Sequence, residues 1–285
     1  MTFREALIFG KEFLASPRIE TPLLDATVLL SEAAKIPKEK IYASLPDPLD
    51  GKTEELYRSF LHRRLEGYPV SYIRRKKEFY SLTFYVDERV LVPRPDTEII
   101  VDAALEVIAA KQGTDPVTVL DLGTGSGCIA LTLHRECRSR GLDARISASD
   151  VSPSAEEVFM INAKRLASEP VPFIRSDLFS AIDGCFDVIV SNPPYLTDEE
   201  VSVMEAEGWP EPALALKGGE NGLDLLDKIV HRSMDFLVRN GYLLLEAHHA
   251  QMTRIEGFMG DAGYADIRRL PDLAGRERVI VGRRD

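Results

Sequence analysis

The chain of 285 residues has little of what metal-binding and disulfide-stabilised proteins depend on: it contains three cysteines, five histidines and one tryptophan. Cys128, Cys137 and Cys185 are an odd set without the spacing of metal ligands. They predict reduced thiols in a cytoplasmic protein. Because no histidine, cysteine and carboxylate residues share metal-ligand spacing, we also expect no metal site.

Long apolar runs are also missing. No uninterrupted stretch approaches the roughly 20 residues that a membrane-spanning helix needs. The first five residues lack the basic and then apolar pattern of a secretion signal. We therefore expect no membrane association. Hydrophobic residues make up 45% of the chain, which is enough for one large or two modest cores.

Positive charge is in deficit. With 35 Lys and Arg against 46 Asp and Glu, the formal net charge is −11. DNA-binding enzymes usually present a basic face and often a basic total, so we expect no stable nucleic-acid binding. One local basic cluster lies at residues 63–64 and 74–77. It is either a solvated helix end and loop or a contact for an acidic partner.

The most informative motif is a strand that ends in two prolines and an aromatic ring. The apolar run 186–191 is followed by Asn192, Pro193, Pro194 and Tyr195. Proline cannot continue a central strand, so the backbone leaves the sheet with carbonyls unpaired. The side-chain oxygen of Asn192 and the carbonyl of Pro193 can each accept one N–H of a planar NH2 group, on which the Tyr195 ring can stack. The alternative is an ordinary Pro-Pro turn.

A glycine-rich turn between a strand and a helix predicts a nucleotide-type site. The β-branched run 117–122 leads into this turn, and a helix-like segment follows. Glycines let the backbone approach a ligand closely. The spacing is neither that of the dinucleotide fingerprint nor that of a P-loop. The turn consists of Gly123, Thr124, Gly125, Ser126 and Gly127.

Three acidic residues stand at the ends of successive apolar segments. Asp121 precedes the glycines and suits a cationic amino group. Asp150 can accept both hydroxyls of a ribose, and Asp177 can accept an exocyclic amine. Each acid is alternatively a helix N-cap or turn residue. Acids at three successive strand ends fit one adenosine-bearing ligand better.

These motifs together resemble the class I S-adenosylmethionine methyltransferases that act on an amide or amine. Segments 92–98, 211–219 and 272–279 further resemble the HemK family of protein-(glutamine-N5) methyltransferases, which act on peptide chain release factors. The resemblance covers nearly the whole chain. It implies S-adenosyl-L-methionine as methyl donor, S-adenosyl-L-homocysteine as product, and release factors 1 and 2 as substrates. The expected cofactor-binding residues are Asp121, Gly123, Thr124, Gly125, Ser126, Gly127, Asp150, Asp177, Leu178 and Asn192.

Methylation of an amide depends on positioning. The amide nitrogen is a poor nucleophile because its lone pair is delocalised, but it can pyramidalise toward a methyl group when both N–H bonds are held. We expect Asn192 and Pro193 to hold them and to stabilise the developing charge. Tyr195 and Phe79 would clamp the flat amide, with Pro194 beside them. Phe79 is alternatively a core residue.

Two positions depart from the family pattern. Leu178 stands where the family often has tryptophan beside the adenine, although the acid next to it is present. Glu246 is followed by alanine and then by His248 and His249, where the family usually has glycine after the acid. Since the reaction requires no isolated histidine base, we expect no catalytic role for these histidines.

The chain is expected to begin with a helical domain over residues 1–72, because apolar residues there recur at helical spacing. Asp25 and Glu32 fall on its polar faces. The resemblance implies that this domain helps to recognise the protein substrate. Residues 73–92 follow as a β-hairpin connector, in which an aromatic stretch alternates with polar residues.

Residues 93–285 alternate strands with helices, which predicts an α/β catalytic domain with a mostly parallel sheet covered on both faces. The resemblance implies a Rossmann-like sheet of seven strands. Asp96 is the expected N-cap of a helix that runs to about Ala110. Arg94 either steers the substrate or the cofactor carboxylate, or is a surface arginine.

Alternative functions remain at this point. One is methylation of a ribosomal-protein glutamine, which the sequence separates poorly from the release-factor reaction. Another is adenine-N6 methylation of nucleic acid after base flipping, against which the acidic balance argues. A third is a non-catalytic sensor of the nucleoside cofactor, which has no need of an amide clamp.

Overall fold

The computed structural model describes all 285 residues and divides into two compact units. The smaller unit comprises Met1–Lys76 and Met204–Pro210, and the larger one comprises Lys77–Val203 and Glu211–Asp285. The hairpin that follows Lys76 therefore groups with the larger unit. The expected boundaries at residues 72 and 92 stay a prediction.

Helices account for most of residues 1–76. A capping box starts the first of them, since the Thr2 hydroxyl accepts from the Glu5 amide at 3.3 Å and the Glu5 carboxylate accepts from the Thr2 amide at 2.8 Å. Their apolar stripes meet in a core that includes Leu30, Tyr57 and Leu61, each 0% exposed. The helices are α1 Phe3–Phe13, α2 Pro22–Ala34, α3 Lys38–Ala43, α4 Gly51–Leu65 and α5 Val70–Arg74.

The two acids that were placed on polar helix faces both belong to α2, and they lie buried inside the smaller unit. Asp25 is 8% exposed and Glu32 is 9% exposed. Arg64 donates to Asp25 at 2.7 Å, while Arg74 and Lys76 lie 3.4 Å and 3.2 Å from Glu32. Helical spacing could not show that these acids are buried, because their basic partners lie after α2 in the chain. These three members of the basic cluster are thus paired within the chain.

The larger unit begins with the hairpin β1 Lys77–Phe79 and β2 Leu82–Phe84, which are antiparallel. Strands and helices then alternate as the sequence predicted. The strands are β3 Val117–Leu122, β4 Ala144–Asp150, β5 Phe173–Arg175, β6 Phe186–Ser191, β7 Leu237–Glu246, β8 Tyr264–Pro271 and β9 Glu277–Arg284. The helices that follow are α6 Glu98–Ala110, α7 Cys128–Ser139, α8 Pro153–Leu166, α9 Asp198–Ala206, α10 Asp224–Phe236 and α11 Met252–Ala262. The last three residues of α9 belong to the smaller unit.

The seven-stranded sheet has the order β5-β4-β3-β6-β7-β9-β8. Strands β3 to β7 pair in parallel, and β9 runs antiparallel to both β7 and β8. The predicted mostly parallel sheet is confirmed. Because the chain goes outward from β3 to β5 and then returns to β6, a crevice forms at the carboxyl ends of β3 and β6, where open α/β sheets bind ligands.

Strand β8 is the one strand that the sequence did not locate. Its pairing with β9 shifts register between Ala265 and Arg268, and Asp266 has a φ of +51°. A bulge of this kind breaks the two-residue alternation by which a strand is recognised. The prediction that Asp96 caps α6 was also wrong: Asp96 lies inside a 3₁₀ turn, Pro95–Thr97, and pairs with Arg278 at 3.3 Å.

The core of the larger unit is built from the central strands and the helices that cover them. Leu120, Ile189 and Leu243 come from β3, β6 and β7, and each is 0% exposed. Leu226 of α10 and Met252 of α11 pack into the same cluster. This buried sheet positions the loops that follow the strand ends. None of the helices has the length and apolar character needed to cross a membrane.

Candidate functional site

A cavity lies at the carboxyl ends of β3, β4 and β6, where separate sequence motifs meet. Its lining includes the glycine turn, the acid that ends β4, the loop after β5 and the Asn-Pro-Pro segment. Most of the expected site residues are brought together here. Those that line the cavity are Gly123, Thr124, Gly125, Ser126, Asp150, Asp177, Leu178, Asn192, Pro193 and Pro194.

Asp121 does not line the cavity. It supports the glycine turn through hydrogen bonds to the turn and to α7. Its Oδ2 accepts from the Thr124 hydroxyl at 2.6 Å and from the Ala130 amide, in the first turn of α7, at 2.9 Å. Its Oδ1 is buried without a hydrogen-bond partner. Burial raises the pKa of Asp121 to about 7. An unpartnered, buried carboxylate oxygen under the turn is a suitable group to attract a cationic ligand.

Gly127 ends the turn at a position that only glycine fits. Its φ is +83°, and a Cβ there would lie 2.7 Å from the ring of Phe159. The turn therefore stays close to α8, and α7 begins at the next residue. Gly127 shapes the site from outside the cavity lining.

Asp150 joins the end of β4 to the glycine turn. Its Oδ2 accepts from the Gly125 amide and its Oδ1 from the Ser152 amide, both at 2.9 Å. Burial raises its pKa. Since a carboxylate offers about four lone-pair positions, Asp150 keeps capacity for a hydroxyl inside the cavity.

The loop after β5 presents Asp177 and Leu178 to the cavity. Leu178 has a φ of +47°, which a branched side chain rarely adopts. Ser176 fixes this conformation: its hydroxyl donates to the Leu178 carbonyl at 2.7 Å and accepts from the Ala181 amide at 3.0 Å. Leu178 thus offers an apolar contact where the family often has an aromatic one.

Asn192 lines the cavity, and the nitrogen of its side-chain amide is hydrogen-bonded within the protein. Its Nδ2 donates to the Thr97 hydroxyl at 3.1 Å, whereas its Oδ1 forms no hydrogen bond within the chain. The Pro193 carbonyl also accepts none. Two acceptors without partners therefore stand side by side at the end of β6, as binding an NH2 group requires.

Hydrogen bonds from Gln251 hold the loop that carries these acceptors. Gln251 donates through Nε2 to the carbonyls of Tyr195 and Gly222, at 3.0 Å and 2.9 Å. A Cβ at Gly222 would lie 2.3 Å from the Tyr195 carbonyl oxygen, so this close approach requires glycine. Gln251 was not assigned a role from the sequence, since nothing in its local pattern marks it.

Two expected substrate contacts lie outside the cavity lining. Phe79 is 1% exposed and packs edge-on against Phe84, with ring centroids 6.1 Å apart. It is therefore a core residue, the alternative that the sequence left open. Tyr195 is half-buried and packs against the core of the sheet, and burial raises its pKa.

Arg94 lines the cavity and is held by a buried acid that the sequence did not single out. Its Nη2 lies 2.6 Å from Oε2 of Glu211, whose side chain is 0% exposed. The Val92 amide donates to the other carboxylate oxygen at 3.0 Å. The family segments 92–98 and 211–219 therefore meet through this carboxylate, and their shared resemblance was the signal that could have found it.

The remaining nucleophilic and basic groups are poorly suited to proton transfer. Cys128 lines the cavity, but burial raises the pKa of its thiol to about 12. His248 and His249 pack against each other with ring centroids 4.1 Å apart and ring planes tilted by 48°, and both lie outside the cavity lining. Burial lowers the pKa of His248.

Family models match both parts of the chain. Residues 5–74 match the PrmC N-terminal domain, and residues 100–208 match the Methyltransferase small domain. A protein of Chlorobaculum tepidum described as Release factor glutamine methyltransferase is 36% identical over 277 residues, which cover 94% of this chain and 92% of that protein. A protein of Moorella thermoacetica with the same description is 34% identical over 287 residues, covering 100% and 99%.

Solved structures share the fold at low identity. A methyltransferase from Pyrococcus furiosus is 17% identical, with a TM-score of 0.51 over 78% of this chain and 98% of that chain. A T. thermophilus 16S rRNA methyltransferase in complex with AdoMet and guanosine is also 17% identical, with a TM-score of 0.52 over 74% and 50% of the two chains. These likenesses show the fold alone.

Proposed function

This chain belongs to the release factor glutamine methyltransferase family, and we propose that it transfers a methyl group from S-adenosyl-L-methionine to the side-chain nitrogen of the glutamine in the Gly-Gly-Gln motif of peptide chain release factors 1 and 2. One observation carries the proposal: the Asn192 Oδ1 and the Pro193 carbonyl are adjacent and accept no hydrogen bond within the chain. They stand in a cavity that the glycine turn also lines.

The cavity residues suit the methyl donor. S-adenosyl-L-methionine supplies a methyl group on a positively charged sulfur, and S-adenosyl-L-homocysteine is the expected product. We propose that the turn 123–127 lets the backbone approach the donor, and that Asp150 accepts its ribose hydroxyls. Asp177 and Leu178 would contact the adenine. The buried, unpartnered Oδ1 of Asp121 would attract the amino group from beneath the turn.

The substrate amide is held at its two N–H bonds. In the proposed reaction the nitrogen bonds to the methyl carbon as the bond from that carbon to the donor sulfur breaks, and one N–H proton passes to water. The nitrogen lone pair must leave conjugation with the carbonyl for this bond to form. Asn192 and Pro193 accept the two N–H groups and stabilise positive charge as it develops on the nitrogen. Held in this way, the nitrogen points its lone pair toward the methyl group without prior deprotonation.

The residues around this clamp take supporting roles. Pro194 lines the cavity and contacts the substrate, whereas Tyr195 is proposed to close one face of the amide by moving from its half-buried position. Phe79 supports the wall from the core. Residues 1–72 are proposed to help recognise the release factor, and the site of the reaction is proposed to be the cytoplasm. The net charge of −11 supports a protein substrate over a nucleic acid.

The test is transfer of labelled methyl from S-adenosyl-L-methionine to purified release factor, a large-subunit ribosomal protein and duplex DNA, offered in parallel. Mass spectrometry locates the label. Label on the Gly-Gly-Gln glutamine supports the proposal. Label on a ribosomal-protein glutamine keeps the chemistry and changes the substrate, whereas label on DNA adenine overturns the amide assignment.

A further inference from the structure

The Asn192 side chain works as a clamp in only one of its two orientations. Its oxygen and nitrogen ends have nearly the same shape, so packing alone does not distinguish them. Only the orientation with Oδ1 toward the cavity can accept a substrate N–H. A neighbour that favours this orientation therefore takes part in the reaction without touching the substrate.

Thr97 is that neighbour. It is 1% exposed, it lies in the turn before α6, and its Oγ1 is 3.1 Å from the Asn192 Nδ2. Glu246, which is 2% exposed, lies beside Thr97: burial raises the pKa of this carboxyl to about 7, and the Thr97 hydroxyl acts in the opposite direction. The second carboxylate oxygen of Glu246, Oε2, is buried without a partner.

The sheet register explains why these groups meet. Ser191 of β6 pairs with Leu245 of β7 in parallel. The residues that follow, Asn192 and Glu246, therefore leave adjacent strands at the same edge of the sheet. Thr97 accepts a hydrogen bond from Asn192 and lies next to Glu246.

A hydroxyl has one proton to donate, and this fixes the direction of the chain of bonds. When the Glu246 carboxylate accepts the Thr97 proton, only lone pairs of the hydroxyl face Asn192. The NH2 end of Asn192 is then attracted to Thr97, whereas a flipped amide would place oxygen against oxygen. The buried carboxylate thus sets the orientation of an amide that it does not contact.

We propose that Thr97 and Glu246 are positioning residues for methyl transfer, and that they act by holding the Asn192 amide with its oxygen toward the substrate. This inference depends on the proposed function of Asn192. Thr97→Val keeps the shape of the side chain and removes the hydroxyl. Glu246→Gln keeps the shape of the acid but can donate to Thr97, which frees the hydroxyl proton to attract the oxygen of a flipped Asn192.

The experiment measures kcat and KM for the substrate that the wild-type enzyme methylates, at about pH 8, where Glu246 is ionised. Thr97→Val is expected to lower kcat about 100-fold, as misplacement of a reacting group does. Glu246→Gln should also lower kcat. Thr97→Ser keeps the hydroxyl, so its kcat should stay near that of the wild type. Donor affinity by calorimetry and the midpoint of thermal unfolding should stay near those of the wild type for Thr97→Ser.

Thr132→Val is the matched control. Thr132 is 0% exposed in α7, and its hydroxyl has no hydrogen-bond partner. Loss of that hydroxyl changes a buried threonine without touching the proposed chain of bonds. Its kcat should equal that of the wild type, and an equal loss in both valine variants would assign the effect to packing and overturn the inference.

A double-mutant cycle with Asn192→Ala separates positioning from a general structural effect. If Thr97 acts through Asn192, then Thr97→Val causes no further loss of kcat when Asn192 is already alanine. Losses that multiply overturn the inference and leave the amide clamp intact. Full activity of Asn192→Ala, or no transfer to any of the three substrates by the wild type, overturns the proposed function together with this inference.

Discussion

At the scale of single residues, the site consists of polar groups that each serve two partners. Asp150 accepts from two backbone amides and still faces the cavity. Asn192 donates to Thr97 and keeps its oxygen for a ligand. In each case hydrogen bonds within the protein fix the side chain, so the oxygen that faces the cavity is preorganised and need not be ordered during the reaction.

Replacement of Asn192 by alanine should remove one acceptor of the substrate amide. We expect a loss of roughly 2–4 kcal/mol of transition-state stabilisation, by analogy with the loss of single groups in oxyanion holes. Affinity for S-adenosyl-L-methionine should stay near normal. Steady-state methyl transfer and calorimetry check the two parts, and full activity of the variant would refute the amide clamp.

Replacement of Asp150 by alanine should instead weaken binding of the methyl donor. The change removes the proposed acceptor of the ribose hydroxyls and also the carboxylate that accepts from Gly125. Calorimetry should report a higher Kd for the donor. Asp261→Ala, which removes an exposed acid of α11, is the control and should leave the Kd unchanged. Equal affinities in all three proteins would exclude Asp150 from the site.

At the scale of elements, the turns carry constraints that the strands and helices do not. Gly127 has a positive φ and lies against Phe159, whereas Gly257 lies within α11, where a Cβ would meet open space. The same chemical change, addition of one methyl group, therefore has opposite consequences in the two elements.

Gly127→Ala should destabilise the fold by more than about 1 kcal/mol, because the added Cβ meets both a strained φ and the Phe159 ring. Gly257→Ala should stabilise it by up to about 1 kcal/mol, because alanine has the higher helix propensity. Urea denaturation of the two variants measures both changes. A loss of stability at Gly257 or none at Gly127 would contradict this account of the two elements.

At the scale of the whole molecule, buried carboxyl groups make stability depend on pH in two directions. Burial raises the pKa of Asp121 and of Glu246 to about 7. Glu32 differs: burial acts to raise its pKa, but hydrogen bonds from Lys35 and Lys76 outweigh burial and hold the pKa below its usual range. The first two groups favour the folded protein when protonated, and Glu32 favours it when ionised.

Between its unfolded pKa of 4.5 and its folded pKa of about 7, Glu246 binds more protons in the folded protein. The free energy of unfolding should therefore fall as pH rises through this window. Urea denaturation at about pH 5.5 and about pH 7.5 measures the slope, and the difference between the wild type and Glu246→Gln isolates this group. Identical slopes in the two proteins would refute the assignment.

Below pH 4.5 the sign reverses for Glu32. Its folded pKa is lowered, so the stability it contributes is complete above its ordinary value of 4.5 and is lost as pH falls through the folded pKa. Glu32→Gln should therefore flatten the acid limb of the unfolding curve. An unchanged acid limb in this variant would show that the pairs with Lys35 and Lys76 contribute nothing to acid stability.

Much of the fold and the position of the site followed from local sequence patterns. Alternation of apolar runs located β3, β4 and β6, and the parallel arrangement placed the glycine turn, Asp150, Asp177 and Asn192 at one edge of the sheet. This position was predictable because the carboxyl ends of parallel strands lie at the same edge of the sheet, so the residues that follow them are neighbours. Strand β8 was not predicted, because its bulge interrupts the alternation of apolar and polar residues.

Contacts between distant segments could not be inferred in the same way. Asp25 meets Arg64 across 39 positions of the chain, and Asn192 meets Thr97 across 95. Neither periodicity nor spacing encodes which polar side chains become partners once the helices and strands pack. The residue types and strand ends of this protein thus defined the chemistry of the cavity. Packing decided that Asp25 is buried, that Phe79 belongs to the core and that Thr97 orients Asn192, because each depends on a partner that local sequence does not specify.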